Sequence, residues 1–405
     1  APIPMIHCPK CGAVPVQEDD LPVLLPPDID FLPRGDGKSP LATSDEYVKT
    51  SCPSCGGEAK RDTDTMDTFV DSSWYFLRYL SPRDDERPFD EKLVNTWLPV
   101  DQYIGGVEHA ILHLLYSRFI VKFLEDEGMI GFDEPFKNLF TQGMICRNGA
   151  KMSKTKGNVV SPKALIEKYG ADTVRLYTLF IGPPARDAEW NDRAVEGAYR
   201  FINRVWRLYS NNKGVLESKE MDEIKVNPNN LDKGQIKLYT KLQQTVGKVT
   251  SDILGGSFHF NTAISALMEL TNEMYIYTEN DEGYSKGDKA AVELLRESYK
   301  NLLLLLAPMA PHLCDEIWER LGESETIFSR RLPMADERFM ASDIYTLVVQ
   351  VNGKVRSNIE VELGTDRDTL EKKALGEDRV RKFIDGKEIV KVIVVPDKLV
   401  NIVVR

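Results

Sequence analysis

No window of the 405-residue chain approaches eighteen consecutive apolar residues, and the run from Leu302 to Leu306 is far too short to span a bilayer. The opening Ala1-Pro2-Ile3-Pro4 lacks the charged and apolar regions of a secretory signal, so a cytoplasmic protein with no membrane partner is expected. Histidine occurs five times, at His7, His109, His113, His259 and His312, which restricts where imidazole chemistry can sit. Cysteine occurs six times; four residues form two C-x-x-C pairs while Cys146 and Cys314 stand alone, a pattern of metal usage rather than a disulfide framework. No internal repeat or low-complexity tract is visible. An excess of positive charge is also lacking. The net charge of −11 argues at first against a nucleic-acid partner, because phosphate binding normally leaves a basic footprint.

That total conceals a local reversal. From Pro135 to Ile166 there is no Asp or Glu, while Lys137, Arg147, Lys151, Lys154, Lys156 and Lys163 supply six positive charges, a polyanion-binding signal. Residues 341–405 hold 12 Lys/Arg against 11 Asp/Glu, so the other 340 residues carry −12. With 42% hydrophobic and 28% charged residues the chain can bury sizeable cores, and its length suggests about two to four domains.

Residues 1–65 read as a metal-stapled insert. Cys8-Pro9-Lys10-Cys11-Gly12 and Cys52-Pro53-Ser54-Cys55-Gly56 each present two thiolates on a tight turn whose trailing glycine relieves strain. Together Cys8, Cys11, Cys52 and Cys55 offer the four soft ligands of a closed structural zinc site. Two matched pairs weigh against a redox C-x-x-C, although 40 residues between them exceed a minimal ribbon.

Between residues 66 and 178, apolar helical stretches (Trp74 to Leu80, Ala110 to Leu124) alternate with strand-like runs at Gln102-Tyr103-Ile104 and Asn138-Leu139-Phe140. This is an α/β pattern with ligands expected at loop ends. Residues 179–340 turn helical: Val195, Ala198, Ile202, Val205 and Tyr209 share one stripe and Arg200, Arg204 and Arg207 another, so an antiparallel bundle is expected. One of its helices should end at Pro308 or Pro311, with a short one following from Cys314 to Leu321. Residues 341–405 change to period two. Tyr345, Leu347, Val349 and Val351 alternate up to an Asn352-Gly353 turn, and Val390 to Val394 turns at Pro396-Asp397 into Leu399 to Val404, giving a small α+β domain.

Two segments carry chemistry. Gly149-Ala150-Lys151-Met152-Ser153-Lys154-Thr155-Lys156-Gly157-Asn158 is polar and glycine-bounded, and can wrap a triphosphate: lysines would neutralise charge on α-phosphate and departing pyrophosphate, with Ser153 and backbone N–H groups adding hydrogen bonds. On charge alone a solvated lysine turn explains it equally well. In Gly105-Gly106-Val107-Glu108-His109-Ala110-Ile111-Leu112-His113, a Gly-Gly turn entering a helix lets backbone approach a nucleotide, and His109 and His113 at i, i+4 are expected on one helical face. The pair lacks the glutamate of the H-E-x-x-H metalloprotease helix, so pocket lining is the better reading than metal.

The order of residues in Lys151-Met152-Ser153-Lys154-Thr155 resembles the KMSKS signature of class I aminoacyl-tRNA synthetases, with Thr155 for the final serine. Gly170-Ala171-Asp172-Thr173-Val174-Arg175-Leu176-Tyr177 is similar to the segment that follows this loop in the family, and the Gly105 to Tyr116 string resembles the leucyl-tRNA synthetase version of its element. The resemblance extends over essentially the whole chain and implies a multidomain α/β plus α protein: part of a Rossmann-type catalytic domain with a zinc-knuckle insert, a helical anticodon-binding-type bundle and a small α+β C-terminal domain. It implies leucine, ATP with Mg2+, and tRNA(Leu) as ligands. Phe69, Ser72, Tyr103, His109 and His113 match positions lining the leucine pocket; Gly106, Glu108, Gln142 and Lys154, with Met152 and Ser153 of the loop, match ATP positions, and Lys151 and Lys154 the catalytic lysines. Arg200, Arg204 and Arg207 on the helix, and Lys354 and Arg356 in the hairpin, are the expected tRNA contacts. Exposed helix charge and edge protection are the alternatives for these five.

The family pairs the lysine loop with an HIGH tetrapeptide on the first half of the nucleotide fold, and that tetrapeptide does not occur among these 405 residues; neither does a segment resembling the editing domain. The expectation is a ligase part that needs an N-terminal HIGH-bearing half, against the alternative of a stand-alone tRNA-binding or regulatory module.

Overall fold

Two short hairpins open the first unit, Ala1–Gly143. Strands β1 (Met5–Cys8), β2 (Gly12–Pro15), β3 (Lys49–Ser51) and β4 (Glu58–Arg61) form an antiparallel sheet in the order β2-β1-β4-β3, with the short helix α1 (Asp45–Val48) before β3. Alternation puts Ile6, Cys8 and Ala59 on its inner face, where they pack with Val16 and Cys52, while His7 and Lys60 point the other way. Gly12 and Gly56 have φ of +78° and +69°, the left-handed conformation the sequence requires after each cysteine pair. The structure, a computed structural model, describes residues 1–32, 35, 37–218, 226–279, 284–286, 288–340, 344–362, 365–395 and 398–405.

The rest of this unit is α/β. Helices α2 (Thr68–Ser72), α3 (Tyr75–Arg78) and α4 (Glu91–Trp97) precede β5 (Tyr103–Gly106), α5 (His113–Asp126) and β6 (Leu139–Gln142), and β5 pairs with β6 in parallel. Parallel strands need a crossover, and α5 supplies it. Phe76, Leu77, Phe89, Val94, Val121 and Ile130 make the core. The expected helix from Ala110 is shorter and broken. Residues Val107–Ala110 form a 3-10 turn, Leu112 at φ −114°, ψ −99° interrupts the backbone, and the α-helix starts only at His113. His109 and His113 therefore do not share a helical face; they meet across this break.

The second unit, Met144–Arg405, begins with β7 (Ile145–Arg147), β8 (Ala150–Lys151) and, after α6 (Pro162–Tyr169) and α7 (Ala171–Phe180), β9 (Ala188–Glu189), in the order β8-β7-β9. Then come the long helices α8 (Asp192–Leu216), α9 (Lys233–Leu254), α10 (Phe260–Glu279), α11 (Lys289–Leu306) and α12 (Pro311–Arg320). Asn191 caps α8 by accepting from the Arg193 and Ala194 N–H groups, and of the expected stripe Val195, Ala198, Val205 and Tyr209 are buried while Ile202 is half-buried against the same core. Each such large apolar side chain contributes roughly 1.5–3 kcal/mol on burial. Pro308 follows the end of α11, and Pro311, whose missing N–H costs nothing at a first helical position, opens α12.

A four-stranded sheet closes the chain: β10 (Ile344–Val351), β11 (Lys354–Glu362), β12 (Ile389–Val395) and β13 (Leu399–Val404), ordered β11-β10-β13-β12, with α13 (Arg367–Gly376) and α14 (Asp378–Ile384) against it. Asn352 and Gly353 both take positive φ, 49° and 76°, as a type I′ hairpin requires. The Pro396-Asp397 turn and the side chain of Tyr345 lie outside the described residues. Among the described residues no helix is long and apolar enough to cross a membrane.

Candidate active site

In the first unit the break before α5 builds an aromatic cage. His113, only 8% exposed, hydrogen-bonds the Ser72 carbonyl through Nε2 at 2.8 Å and the Tyr103 hydroxyl through Nδ1 at 2.8 Å. A carbonyl only accepts, so Nε2 carries the proton and, in a neutral ring, the Tyr103 O–H donates to Nδ1. Burial raises the Tyr103 phenol above its ordinary value. The Tyr103 ring stacks on Phe136 at 4.2 Å between centroids, and Phe69 stands edge-on to His109 and His113 at 5.8 and 6.0 Å. The cage thus assembles all five predicted pocket residues, Phe69, Ser72, Tyr103, His109 and His113. His109 keeps its Nδ1 shielded and without a hydrogen-bond partner among the described residues. Tyr75 and Tyr116 also touch the cage, with centroids 6.0 Å from His113 and 6.1 Å from Phe69. Sequence reading passed over both; the available signal was their spacing of three residues from Ser72 and His113.

The three predicted ATP positions of this unit gather at the carboxyl ends of its parallel strands, where open α/β sheets place ligands. Gly106 lies opposite Gln142 in the β5–β6 register, and Gln142 is exposed. A Cβ at Gly106 would stand 2.5 Å from a carboxylate oxygen of Glu108, so the Glu108 side chain lies against the strand end and a larger residue at 106 would displace it.

The lysine loop belongs to the second unit. Asn148 and Gly149, with φ of 57° and 70°, turn β7 into β8 as a type I′ hairpin. Beyond Lys151 the chain makes a tight turn: the Lys156 N–H reaches Ser153 Oγ at 3.2 Å and the Gly157 N–H reaches the Lys154 carbonyl at 3.2 Å. Asn158 holds this turn to the hairpin. Its Oδ1 accepts from the Ser153 N–H at 2.9 Å, and its Nδ2 lies 3.2–3.4 Å from the carbonyls of Arg147, Ala150 and Lys151. Lys151, Lys154 and Lys156 are exposed while Met152 and Ser153 are half-buried; Lys154 and Lys156 make no ion pair among the described residues. A hydrogen-bonded turn that exposes the Lys154 and Lys156 ammonium groups suits a polyphosphate. Asn158 is the positioning residue that charge-based reading missed.

The four thiolate candidates converge. The Sγ atoms of Cys8, Cys11, Cys52 and Cys55 lie within 4.8 Å of one another, Cys8 to Cys55 at 3.7 Å. A tetrahedral thiolate site with metal–sulfur bonds of about 2.3 Å has sulfur–sulfur edges of about 3.8 Å, so the cluster fits a tetrahedral metal. Backbone N–H groups of Cys11 and Lys10 lower the Cys8 thiol to about 7, whereas the neighbouring Cys55 raises Cys11 to about 12. Crowding of like charges keeps part of the cluster protonated until a cation takes the sulfurs as thiolates.

The basic side chains expected against nucleic acid differ in availability. Arg200 is exposed on α8; the Arg204 guanidinium lies 5.0 Å from the Tyr275 ring centroid, and Arg207 Nε donates to the Asn203 carbonyl at 3.4 Å. Lys354 is exposed at the β10–β11 hairpin, while Arg356 stacks 3.9 Å over Phe383.

Comparison with known proteins defines the class. Residues 39–191 match the family model "tRNA synthetases class I (I, L, M and V)" and residues 236–373 match "Anticodon-binding domain of tRNA ligase". One stretch of the chain is thus similar to a class I tRNA synthetase and a second to an anticodon-binding domain. Within that class it resembles the leucine–tRNA ligases. It is 53% identical over 408 aligned residues to the leucine–tRNA ligase of Petrotoga mobilis and 50% identical over 406 to that of Thermotoga maritima, in each case over 100% of this chain and 48% of the relative. A crystal structure of the ternary complex of the Agrobacterium radiobacter K84 AgnB2 LeuRS with tRNA and LeuAMS aligns with 100% of this chain and 49% of that one, at 40% identity and a TM-score of 0.73. The chain spans about half the length of the relatives it matches.

Proposed function

We propose that the chain is the part of a cytoplasmic leucine–tRNA ligase that carries the leucine pocket, half of the phosphate clamp and the tRNA-binding domains. The observation that carries this reading is the Asn158-stapled lysine loop together with the His113–Tyr103 cage, in a sequence half identical to leucine–tRNA ligases. In this reading the leucine carboxylate attacks the α-phosphate of ATP, forming the acyl–phosphate bond as the bond to pyrophosphate breaks. Lys151 and Lys154 stabilise the charge moving onto the leaving pyrophosphate, with Met152 and Ser153 shaping the loop. Gly106, Glu108 and Gln142 bind the nucleotide, and Mg2+ accompanies the phosphates. The terminal ribose hydroxyl of tRNA(Leu) then attacks the leucyl carbonyl and AMP leaves.

Leucine selectivity in this reading rests on the apolar ring of Phe69 beside His109 and on His113, whose ring is tied by the Ser72 carbonyl and the Tyr103 hydroxyl. A zinc ion on Cys8, Cys11, Cys52 and Cys55 would staple the insert and take no part in the chemistry. Arg200, Arg207 and Lys354 are the tRNA contacts supported best, since Arg204 and Arg356 already lie on aromatic rings. Four functional segments, 1–65, 66–178, 179–340 and 341–405, are proposed; separate apolar clusters in the insert, the α/β part, the bundle and the final sheet support their number, while Leu176 and Tyr177 of the second segment pack with the bundle.

A HIGH-bearing half is expected to complete the site, on the same or a separate polypeptide. Leu115, Phe119 and Phe123 are 59%, 69% and 51% exposed along one side of α5, Ile111 just before the helix is 76% exposed, and Ile104 and Leu139 are exposed on the two-stranded parallel sheet. Parallel strands are normally covered on both faces, and a patch of this kind marks a contact surface. The test is a Lys154→Ala variant in leucine-dependent ATP–pyrophosphate exchange with that half present. Exchange should slow by about 10²-fold with the leucine KM changed by less than about threefold. A loss confined to KM would refute the transition-state role.

A further inference from the structure

The open face of the insert sheet carries a row of basic side chains in direct register. Lys49 on β3 lies opposite Lys60 on β4, and Lys60 lies opposite His7 on β1. Strands are about 4.8 Å apart, so three basic groups line up across three strands at that spacing. All three are exposed, and with Thr50, Glu58 and Pro9 they line a cleft of about 800 Å³. Like charges directly opposite on neighbouring strands destabilise a sheet, and Asp45, whose carboxyl Lys49 and, less strongly, Lys60 hold below its ordinary value, offsets part of the Lys49–Lys60 repulsion. Local acids answer it only in part. Lys49 reaches Asp45 at 2.7 Å with both side chains exposed, a pairing worth little in water. His7 reaches Asp62 at 2.9 Å, and Lys60 makes no ion pair among the described residues. Glu58, opposite Ser51 in the same pairing, and Asp62, bonded to His7, lie beside the row.

We propose that this row is a phosphodiester-binding track, on which the backbone of an RNA strand crosses the insert sheet. Two lysines in register, with no Phe, Tyr or Trp among the lining residues of the cleft, contact phosphates and read no bases, so they position an RNA without selecting its sequence. That the strand is tRNA rests on the ligase reading above; the preference for a phosphodiester backbone does not.

The test uses the full zinc-loaded chain and two fluorescent probes, tRNA(Leu) and a 12-nucleotide single-stranded RNA, titrated by anisotropy across a salt series. The K49Q/K60Q double variant should weaken binding of the short RNA several-fold. It should also lower the slope of log affinity against log salt by about 1.4, at about 0.7 for each phosphate no longer neutralised. Glu58→Gln, which removes a flanking negative charge, should tighten it, and Lys92→Gln on α4, outside the cleft, should change neither. Zinc content and circular dichroism matching the parent chain exclude misfolding. An unchanged slope in K49Q/K60Q with intact zinc overturns the proposal while leaving the ligase reading standing. Binding of the short RNA that depends on Lys49 and Lys60, with no binding of tRNA(Leu), upholds the track and sinks the tRNA assignment. Failure of both probes to bind the parent chain overturns the track.

Discussion

Replacing Asp172 by Ala should unfasten the bundle at one identifiable point. Asp172 sits in the first turn of α7, is 8% exposed, and accepts from the Leu313 N–H at 2.7 Å, the His312 N–H at 3.4 Å and His312 Nδ1 at 2.7 Å. It therefore caps α12 from 140 residues away, because the residue at the cap position itself, Ala310, has no side-chain acceptor. A charged acceptor on a buried backbone N–H contributes about 1.5–3 kcal/mol, and loss of an N-cap costs about 1 kcal/mol; the two overlap, so the expected cost is about 2–3 kcal/mol. At a urea slope of about 3 kcal/mol per molar, the unfolding midpoint of the bundle should fall by about 0.8 M. Hydrogen exchange in residues 311–320 should accelerate selectively, since α12 buries Cys314, Ile317 and Trp318 only while its first turn is held. Asp172→Asn keeps an acceptor without the charge and should cost about half as much. A loss under about 0.5 kcal/mol with unchanged α12 exchange would show that the cap is not stabilising.

Three further changes probe the sites. Asn158→Ala removes the staple of the lysine loop and should slow adenylate formation by about tenfold while shifting the melting temperature by less than about 2 °C; an unchanged exchange rate would mean the loop is ordered by other contacts. Tyr103→Phe leaves His113 Nδ1 without its donor inside the cage, a deficit of about 1–2 kcal/mol, so the leucine KM should rise about 5- to 30-fold with kcat little altered. Equal KM values would show that His113 needs no fixing. Metal analysis of the purified chain should give one zinc, and chelation should expose four thiols to a thiol reagent together with faster proteolysis of residues 1–62; a metal-free chain with unreactive Cys8 and Cys52 would contradict the site.

Where local chemistry decides the structure, sequence reading succeeded. Each C-x-x-C pair demanded a left-handed glycine, and Gly12 and Gly56 supply it; Asn352-Gly353 could form little else than a type I′ turn between alternating strands. The α8 stripe packs into the core as its period requires. Reading failed where tertiary contacts override periodicity. The apolar residues from Ala110 to Leu124 look like one helix, yet the backbone breaks at Leu112 so that the His113 ring can reach both the Ser72 carbonyl and Tyr103. No pattern along the chain announces that break, because the competing hydrogen bonds come from 41 and 10 residues away. Asp172 is a similar case: within Gly170-Ala171-Asp172 it looks like an ordinary first-turn acid of α7, and its partner helix lies far along the chain. Asn158 went unnoticed beside three lysines because amide staples leave no charge signature.

The most direct test of the ligase reading is ATP–pyrophosphate exchange by this chain combined with a HIGH-bearing N-terminal half. Exchange that depends on leucine, and is far weaker with isoleucine, valine or methionine, is the predicted result. No leucine-dependent exchange from a folded, zinc-loaded pair would contradict it.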